Sequence, residues 1–108
     1  MEADGSAVLP AACPSRPHVA AYGAPMARFC LLHGAWHDGS CWRTVADELI
    51  ARGHAVLAPT LPLHDPAATY AARVRPALEA LAAFEDQRAA PLVLVGHSMG
   101  SGYVPGLL

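Results

Sequence analysis

The stretch that decides the fold is LVLVGHSMG, residues 92–100, which follows Pro91. Its first four residues are apolar and include two valines. Such a run, bounded by Pro and Gly, is typical of a fully buried strand in a parallel sheet. The next five residues form the pattern Gly-x-Ser-x-Gly, with Ser98 at its centre. The sequence therefore predicts a strand, a sharp turn and the start of a helix.

A serine on such a turn can hold its hydroxyl clear of the sheet, where it can act as a nucleophile. The turn imposes strained backbone geometry on Ser98. Neighbouring elements would leave no room for side chains two residues before and after it, and Gly96 and Gly100 occupy those positions. The start of a helix also places partial positive charge near a developing oxyanion. We predict Ser98 as a nucleophile; the alternative is a chance occurrence of the pattern in a loop.

Composition limits the classes of protein to consider. The chain has 108 residues, 54% of them hydrophobic, and a net charge of -2. This length allows one domain at most. The absence of a basic cluster argues against nucleic acid as a partner, and no apolar run is long enough to span a membrane. Three cysteines without metal-type spacing predict reduced thiols in a cytoplasmic protein, and we expect no metal.

The first 26 residues differ from the rest of the chain. They contain four prolines and many alanines without a sustained period. No positive segment precedes an apolar run, so a secretory signal is not expected. We predict that residues 1–26 are a disordered or non-native tail and that residues 27–108 form the domain. Met26 as the natural start is an alternative.

Three segments are predicted as strands: Arg28–Leu32, residues 54–58 and residues 92–95. Between the first two, we predict a helix from Cys41 to Arg52, capped by Ser40 and ended by Gly53. Its predicted apolar face is Val45, Ala46, Leu49 and Ile50.

A second helix is expected to begin after Asp65 or Thr69, with a kink or break at Pro76. Its predicted buried stripe is Ala71, Val74, Leu78, Leu81 and Ala82. Residues 87–90 are expected to connect this helix to the third strand, and a final helix is expected from Met99 to Leu108. The alternation of strands and helices predicts an α/β fold, a parallel three-layer sheet with flanking helices.

Two separated motifs resemble those of the α/β-hydrolases. Residues 92–100 resemble the nucleophile elbow of that fold. His-Gly-Ala-Trp at residues 33–36 resembles the loop after its first core strand. This loop, together with Trp42, is most similar to the branch of plant methylesterases and hydroxynitrile lyases. The resemblance covers residues 27–108 and implies a truncated α/β-hydrolase fold, its first half, ending just after the elbow.

The resemblance implies roles for individual residues. Ser98 would be the nucleophile, and the backbone N–H groups of Ala35 and Met99 would form the oxyanion hole. The other motif residues would shape the elbow and the turn: Gly96, His97, Gly100, His33 and Gly34. His33 would organise the turn rather than act as the base. The implied reaction is hydrolysis of a small carboxylic ester through an acyl-enzyme, without a cofactor. Hydroxynitrile lyases carry Thr where Gly34 stands, so this position favours ester hydrolysis.

A serine nucleophile needs a base and an orienting acid, which follow it in this fold. The ten residues after Ser98 contain no Asp, Glu or His. We therefore expect a fragment, an interrupted frame or one half of a split protein. His37 and His64 lie in loops that could approach the site, whereas His97 is expected to be packed. His33, His37, Asp38 and Cys41 lack zinc-type spacing.

Two other interpretations stay open. A non-catalytic binding or interaction module could pair with a second chain through the open edge of the elbow strand. A remnant that does not fold is the third. The expected partner of the enzyme is a small ester, with neither nucleic acid nor a membrane involved.

Overall fold

A three-stranded parallel sheet lies at the centre of the computed structural model, which describes residues 25–84 and 89–108. Its strands are β1 (Arg28–Leu32), β2 (Ala55–Leu57) and β3 (Leu92–Gly96), in the order β2-β1-β3. All three predicted strands are present. The predictions for residues 1–24 and for residues 87–88 of the connection lie outside the described residues.

The first helical segment has two parts and begins earlier than predicted. A 3₁₀ helix (Gly39–Trp42) precedes helix α1 (Arg43–Ala51). The N-cap is Asp38, whose side chain accepts a hydrogen bond from the Ser40 N–H at 2.8 Å, so the prediction of Ser40 as the cap was wrong. The carboxylate of Asp38 is an acceptor that reaches the first free N–H groups of the helix. Gly53 has a positive φ of 93°, which confirms it as the stop.

Helix α2 (Tyr70–Ala82) is capped by Thr69, one of the two predicted starts, whose hydroxyl oxygen accepts a hydrogen bond from the Ala72 N–H at 3.1 Å. Pro76 lies inside α2, and the helix continues through it rather than breaking. Proline removes one backbone donor and crowds the carbonyl of the preceding turn, and the packing of the buried Val74, Ala77 and Ala80 offsets this cost.

The segment after β3 is a 3₁₀ helix (Ser98–Leu107), and we call it the C-terminal helix. The predicted helix is present, but it is wound more tightly than an α-helix. Three glycines and Pro105 within it lower its tendency to form an α-helix.

Side chains of β1 alternate between the two faces of the sheet. Leu31 packs towards α1 with Val56 and Ala46. Cys30 and Leu32 point the other way, into a core formed with α2 and the C-terminal helix. The predicted architecture, a parallel sheet with helices on both faces, is therefore confirmed.

Some predicted burial was wrong. The buried residues of α2 are Val74, Ala77 and Ala80. Six predicted core residues are instead exposed: Val45, Ala71, Leu78, Ala82 and, on β3, Leu92 and Val93. On the helices, the buried stripe is rotated from the predicted one. On β3 the reason is position, because this strand lies at the edge of the sheet, and Leu92 and Val93 are 38% and 37% exposed.

Pro25 is buried, and the Met26 N–H donates a hydrogen bond to the Gly53 carbonyl at 3.0 Å. These two residues therefore pack against the domain. Within the described part of the chain, no helix is both long and apolar enough to cross a membrane.

Candidate active site

Ser98 is the first residue of the C-terminal helix, in the sharp turn by which the chain leaves β3. Its φ is +55°, and among the described residues it is the only non-glycine residue with a positive φ. Left-handed backbone geometry is unfavourable for a residue with a β-carbon and persists only where surrounding structure enforces it. The side chain is exposed. The turn therefore presents the Ser98 hydroxyl to solvent from a strained backbone position.

Close backbone contacts on both sides of Ser98 enforce this turn. A β-carbon at Gly100 would lie 2.3 Å from the carbonyl oxygen of His33 and 2.7 Å from that of Leu32. A β-carbon at Gly96 would lie 2.5 Å from the Cα of Ser101. Both distances are far below van der Waals contact, so only glycine fits at these two positions.

The loop after β1 lies directly against the turn. In the parallel register Leu32 pairs with Gly96, and the His97 N–H donates a hydrogen bond to the Leu32 carbonyl at 3.0 Å. A β-carbon at Gly34 would lie 3.3 Å from the Cβ of Ser98. The structure thus brings the His-Gly-Ala loop and the Gly-x-Ser-x-Gly turn to one corner of the sheet.

The two predicted oxyanion donors flank this corner. Ala35 follows Gly34 directly, and Met99 lies in the first turn of the C-terminal helix. Amide N–H groups in a first helical turn have no acceptor within the helix. The placement of Ala35 and Met99 on the two segments beside Ser98 is compatible with a pair of donors.

His33 is fully buried and bonds on both sides of its ring. Its Nε2 accepts a hydrogen bond from the Leu61 N–H at 2.8 Å, so the proton is on Nδ1, which donates to the Gly34 carbonyl at 2.8 Å. Burial lowers the pKa of His33, more than the Gly34 hydrogen bond raises it. A neutral ring with both nitrogens engaged cannot accept the Ser98 proton. It ties the loop after β1 to the loop after β2.

His97 is exposed, so the expectation that it is packed was wrong. Its ring lies edge-on to that of Trp42, with 6.5 Å between centroids, and 6.1 Å from that of His37. The backbone of the turn directs His97 towards the first helical segment rather than into the core. Within residues 25–84 and 89–108, no imidazole forms a hydrogen bond with the Ser98 hydroxyl.

A cleft of about 620 Å³ opens beside the corner, between the loop after β1 and the loop after β2. Its walls come from these two loops and from the 3₁₀ helix that follows the first of them: Ala35, Trp36, His37, Asp38, Ser40, Cys41, Thr60, Leu61 and His64. Ser98 is not part of the lining. Both loop histidines singled out in the sequence are therefore brought together in a cleft that reaches the corner through Ala35.

Hydrogen bonds fix the shape of the cleft. The Thr60 hydroxyl oxygen accepts a hydrogen bond from the Gly39 N–H at 3.0 Å. Asp38 accepts hydrogen bonds from both the N–H and the hydroxyl of Ser40. Hydrogen bonding by the Ser40 hydroxyl is the main reason that the pKa of Asp38 lies below its usual range. Burial raises the pKa of the Cys41 thiol, which keeps it protonated.

Sequence reasoning missed Thr60 and Asp38 as organisers of this region. The signal for Asp38 was an aspartate directly before the predicted helical segment, where its side chain can accept a hydrogen bond from the N–H two residues further on, that of Ser40. In the part of the chain that the structure describes, no group of three or more His, Cys, Asp or Glu side chains could hold a metal ion.

Comparisons with known proteins bear on the family of the chain. A model of the alpha/beta hydrolase family matches residues 31–107. The chain is also 36% identical, over 89 residues, to the carbendazim hydrolyzing esterase of Nocardioides sp. (strain SG-4G). The aligned region is 76% of this chain and 36% of that protein, so the chain spans little more than a third of this relative's length. No solved structure gave a significant match.

Proposed function

The chain belongs to the α/β-hydrolase family, and on that premise we propose that it acts in the hydrolysis of a small carboxylic ester, with Ser98 as the nucleophile. The Ser98 hydroxyl attacks the ester carbonyl carbon while a base takes its proton. The tetrahedral alkoxide then collapses, releases the alcohol and leaves an acyl group on Ser98, which water removes.

The observation that carries this proposal is the strained, exposed backbone position of Ser98 at φ +55°. The N–H groups of Ala35 and Met99 are proposed to stabilise the alkoxide, because fixed dipoles need no reorganisation during the reaction. Loss of one such donor typically costs about 3 kcal/mol of barrier. The esterase relative supports the same reaction class.

Gly34 supports ester hydrolysis rather than cyanohydrin cleavage. A β-carbon there would lie 3.2 Å from His97 Nδ1 and 3.3 Å from Ser98 Cβ. Gly34 also supplies no hydroxyl, whereas the threonine that hydroxynitrile lyases carry at this position would bring one to the substrate.

The proposal requires a base and an acid from outside residues 99–108, which contain no Asp, Glu or His. The test is labelling with a fluorophosphonate probe, with and without added imidazole as an external base. Labelling is expected to depend on Ser98 and to be accelerated by imidazole. Ser98→Ala should abolish it, and Thr44→Ala, which removes an exposed hydroxyl on α1 outside the cleft, should leave it unchanged. A folded chain that shows no Ser98-dependent labelling in either condition would contradict the proposal.

The exposed edge of β3 favours a second candidate, a non-catalytic module that pairs with another chain by strand addition. Leu92 and Val93 present apolar surface there, and unpaired strand edges recruit further strands. This candidate predicts association that increases with protein concentration in Ser98→Ala as well as in the unmodified chain. The odd number of cysteines supports a reducing, cytoplasmic setting for either function.

A further inference from the structure

The cleft beside the proposed active site has the properties of a small-molecule site. Its volume of about 620 Å³ lies within the range of ligand pockets. Its two walls are joined by the hydrogen bond from Gly39 to Thr60 and by that from Leu61 to the buried His33. The cleft is therefore formed before any ligand enters it.

The cleft begins one residue from the contact with Ser98. Gly34 lies against Ser98, as the 3.3 Å approach of its β-carbon position shows, and Ala35 is part of the cleft wall. Consecutive Cα atoms are about 3.8 Å apart. A substrate whose carbonyl oxygen accepts a hydrogen bond from the Ala35 N–H can extend directly into the cleft.

Trp36 indicates what the cleft could bind. Its side chain is 94% exposed, although it lines the cleft. Covering a large aromatic side chain that is exposed to water lowers the free energy of the complex, and aromatic ligands add favourable ring contacts. The rings of the exposed His37 and His64 offer further flat surface in the cleft wall.

Asp38 determines the charge that the cleft accepts. Its carboxylate lies in the wall, and its hydrogen bonds from Ser40 keep its pKa below the usual range, so it is ionised at neutral pH. The cleft wall contains no Lys or Arg side chain. A negatively charged group would therefore be repelled without a compensating partner.

We propose that this cleft holds the aromatic arm of the ester substrate and selects neutral arms over anionic ones. The place of the cleft on the substrate path rests on the proposed function. Its binding of neutral aromatic compounds does not, because no step of that binding uses Ser98.

Binding is tested with 2-naphthol as the neutral probe and 2-naphthoate as its anionic counterpart. Amide shifts are followed in nitrogen–proton NMR spectra of the full chain. We expect 2-naphthol to cause saturable shifts in residues 35–41 and 60–64, and 2-naphthoate to bind about fivefold more weakly. The same shifts are expected in Ser98→Ala. If the unmodified chain shows these shifts but no fluorophosphonate labelling of Ser98, the proposed function is rejected and the cleft inference stays intact.

Three variants complete the test. Trp36→Ala should weaken 2-naphthol binding about tenfold. Leu78→Ala removes another exposed apolar side chain, on α2 and outside the cleft, and should have no effect. Asp38→Asn keeps a side-chain acceptor for the N-cap and removes the charge, so the two probes should bind with similar affinity. The inference is overturned by unsaturable or scattered shifts, by equal binding of both probes to the unmodified chain, or by equal effects of Trp36→Ala and Leu78→Ala.

Discussion

The two ends of strand β3 differ in how closely the rest of the chain surrounds them. At the carboxyl end, a β-carbon on Gly96 would lie 2.5 Å from the Cα of Ser101. At the amino end, Leu92 and Val93 are each more than a third exposed, on a strand with one neighbour in the sheet. Backbone contacts hold the carboxyl end in place, whereas the side chains at the amino end are partly exposed to solvent.

This difference separates two properties that a hydrolase needs. The backbone geometry of Ser98 depends on the end of β3 and on the loop after β1, which pair through Leu32 and Gly96. Both segments are present in the described part of the chain. These two segments do not shield the outer edge of β3 from solvent, so shielding of that edge would need other groups. The comparison therefore predicts that substitutions at the corner are costly and that substitutions at the open end are tolerated.

The largest effect is expected for Gly100→Ala. The new β-carbon would meet the His33 carbonyl oxygen at 2.3 Å, and backbone atoms at that distance have to move. The free energy of unfolding should fall by about 3 kcal/mol, measured by urea denaturation.

Gly102→Ala is the matched control in the same helix, because a β-carbon there would meet nothing within 4 Å. It should leave the free energy of unfolding unchanged or raise it slightly, since alanine favours helix. Equal losses in Gly100→Ala and Gly102→Ala would show that close approach of the Gly100 β-carbon to the His33 carbonyl is not the cause of the loss.

The next largest effect is expected for His33→Leu. Leucine has a side chain of similar size but makes neither of the two ring hydrogen bonds, so the buried Leu61 N–H loses its acceptor. The expected loss is about 2 kcal/mol of unfolding free energy. His64→Leu alters an exposed histidine of the cleft wall and should change stability by less than about 0.5 kcal/mol.

His33 also predicts a dependence of stability on pH. Burial lowers its pKa in the folded chain from the ordinary value of 6.5. As the pH falls below about 6.5, the unfolded chain takes up a proton at His33 that the folded chain does not. Stability is therefore expected to fall from pH 7 towards about pH 5, and His33→Leu should show a smaller fall. Parallel pH profiles for the two proteins would contradict this cause.

The same comparison explains which parts of the fold could be predicted from the sequence. Strand β1 and the turn at Ser98 were predicted correctly because local pattern and local sterics determine them. The exposure of β3 could not be read from its apolar run, because a buried and an edge strand of this composition look alike. The buried stripe of α2 was misplaced because tertiary packing, through Ala77 and Ala80, set the rotation of the helix.

The candidate site likewise has one part that could be predicted from the sequence and another that could not. The meeting of Gly34 with Ser98 follows from parallel strands that end at one edge of the sheet. The cleft does not follow from any motif, because its walls belong to segments 19 or more residues apart in the chain. The cross-link from Thr60 to Gly39 and the outward direction of His97 depend on how these loops pack.

Leu92→Lys tests the exposed amino end of strand β3. The lysine stem can lie along the strand with its charge in water, so unfolding free energy should change by at most about 1 kcal/mol. A charge on an edge strand opposes strand pairing, so any association at high protein concentration should decrease, as measured by sedimentation. Ala89→Lys adds the same charge outside the strand and should leave association unchanged. Equal decreases would assign the effect to net charge.

The smallest effect is expected for Ser101→Ala, on the solvent side of the corner. The Ser101 hydroxyl donates a hydrogen bond to the Ser98 carbonyl at 2.6 Å, in an exposed position. Water can replace an exposed donor, so the loss of unfolding free energy should be about 0.5 kcal/mol. Fluorophosphonate labelling of Ser98 should proceed at nearly the same rate, because the contacts of Gly96 and Gly100 would still hold the turn. A loss as large as that of Gly100→Ala would instead assign the geometry of Ser98 to this hydrogen bond, and the corner would no longer be a product of backbone contact.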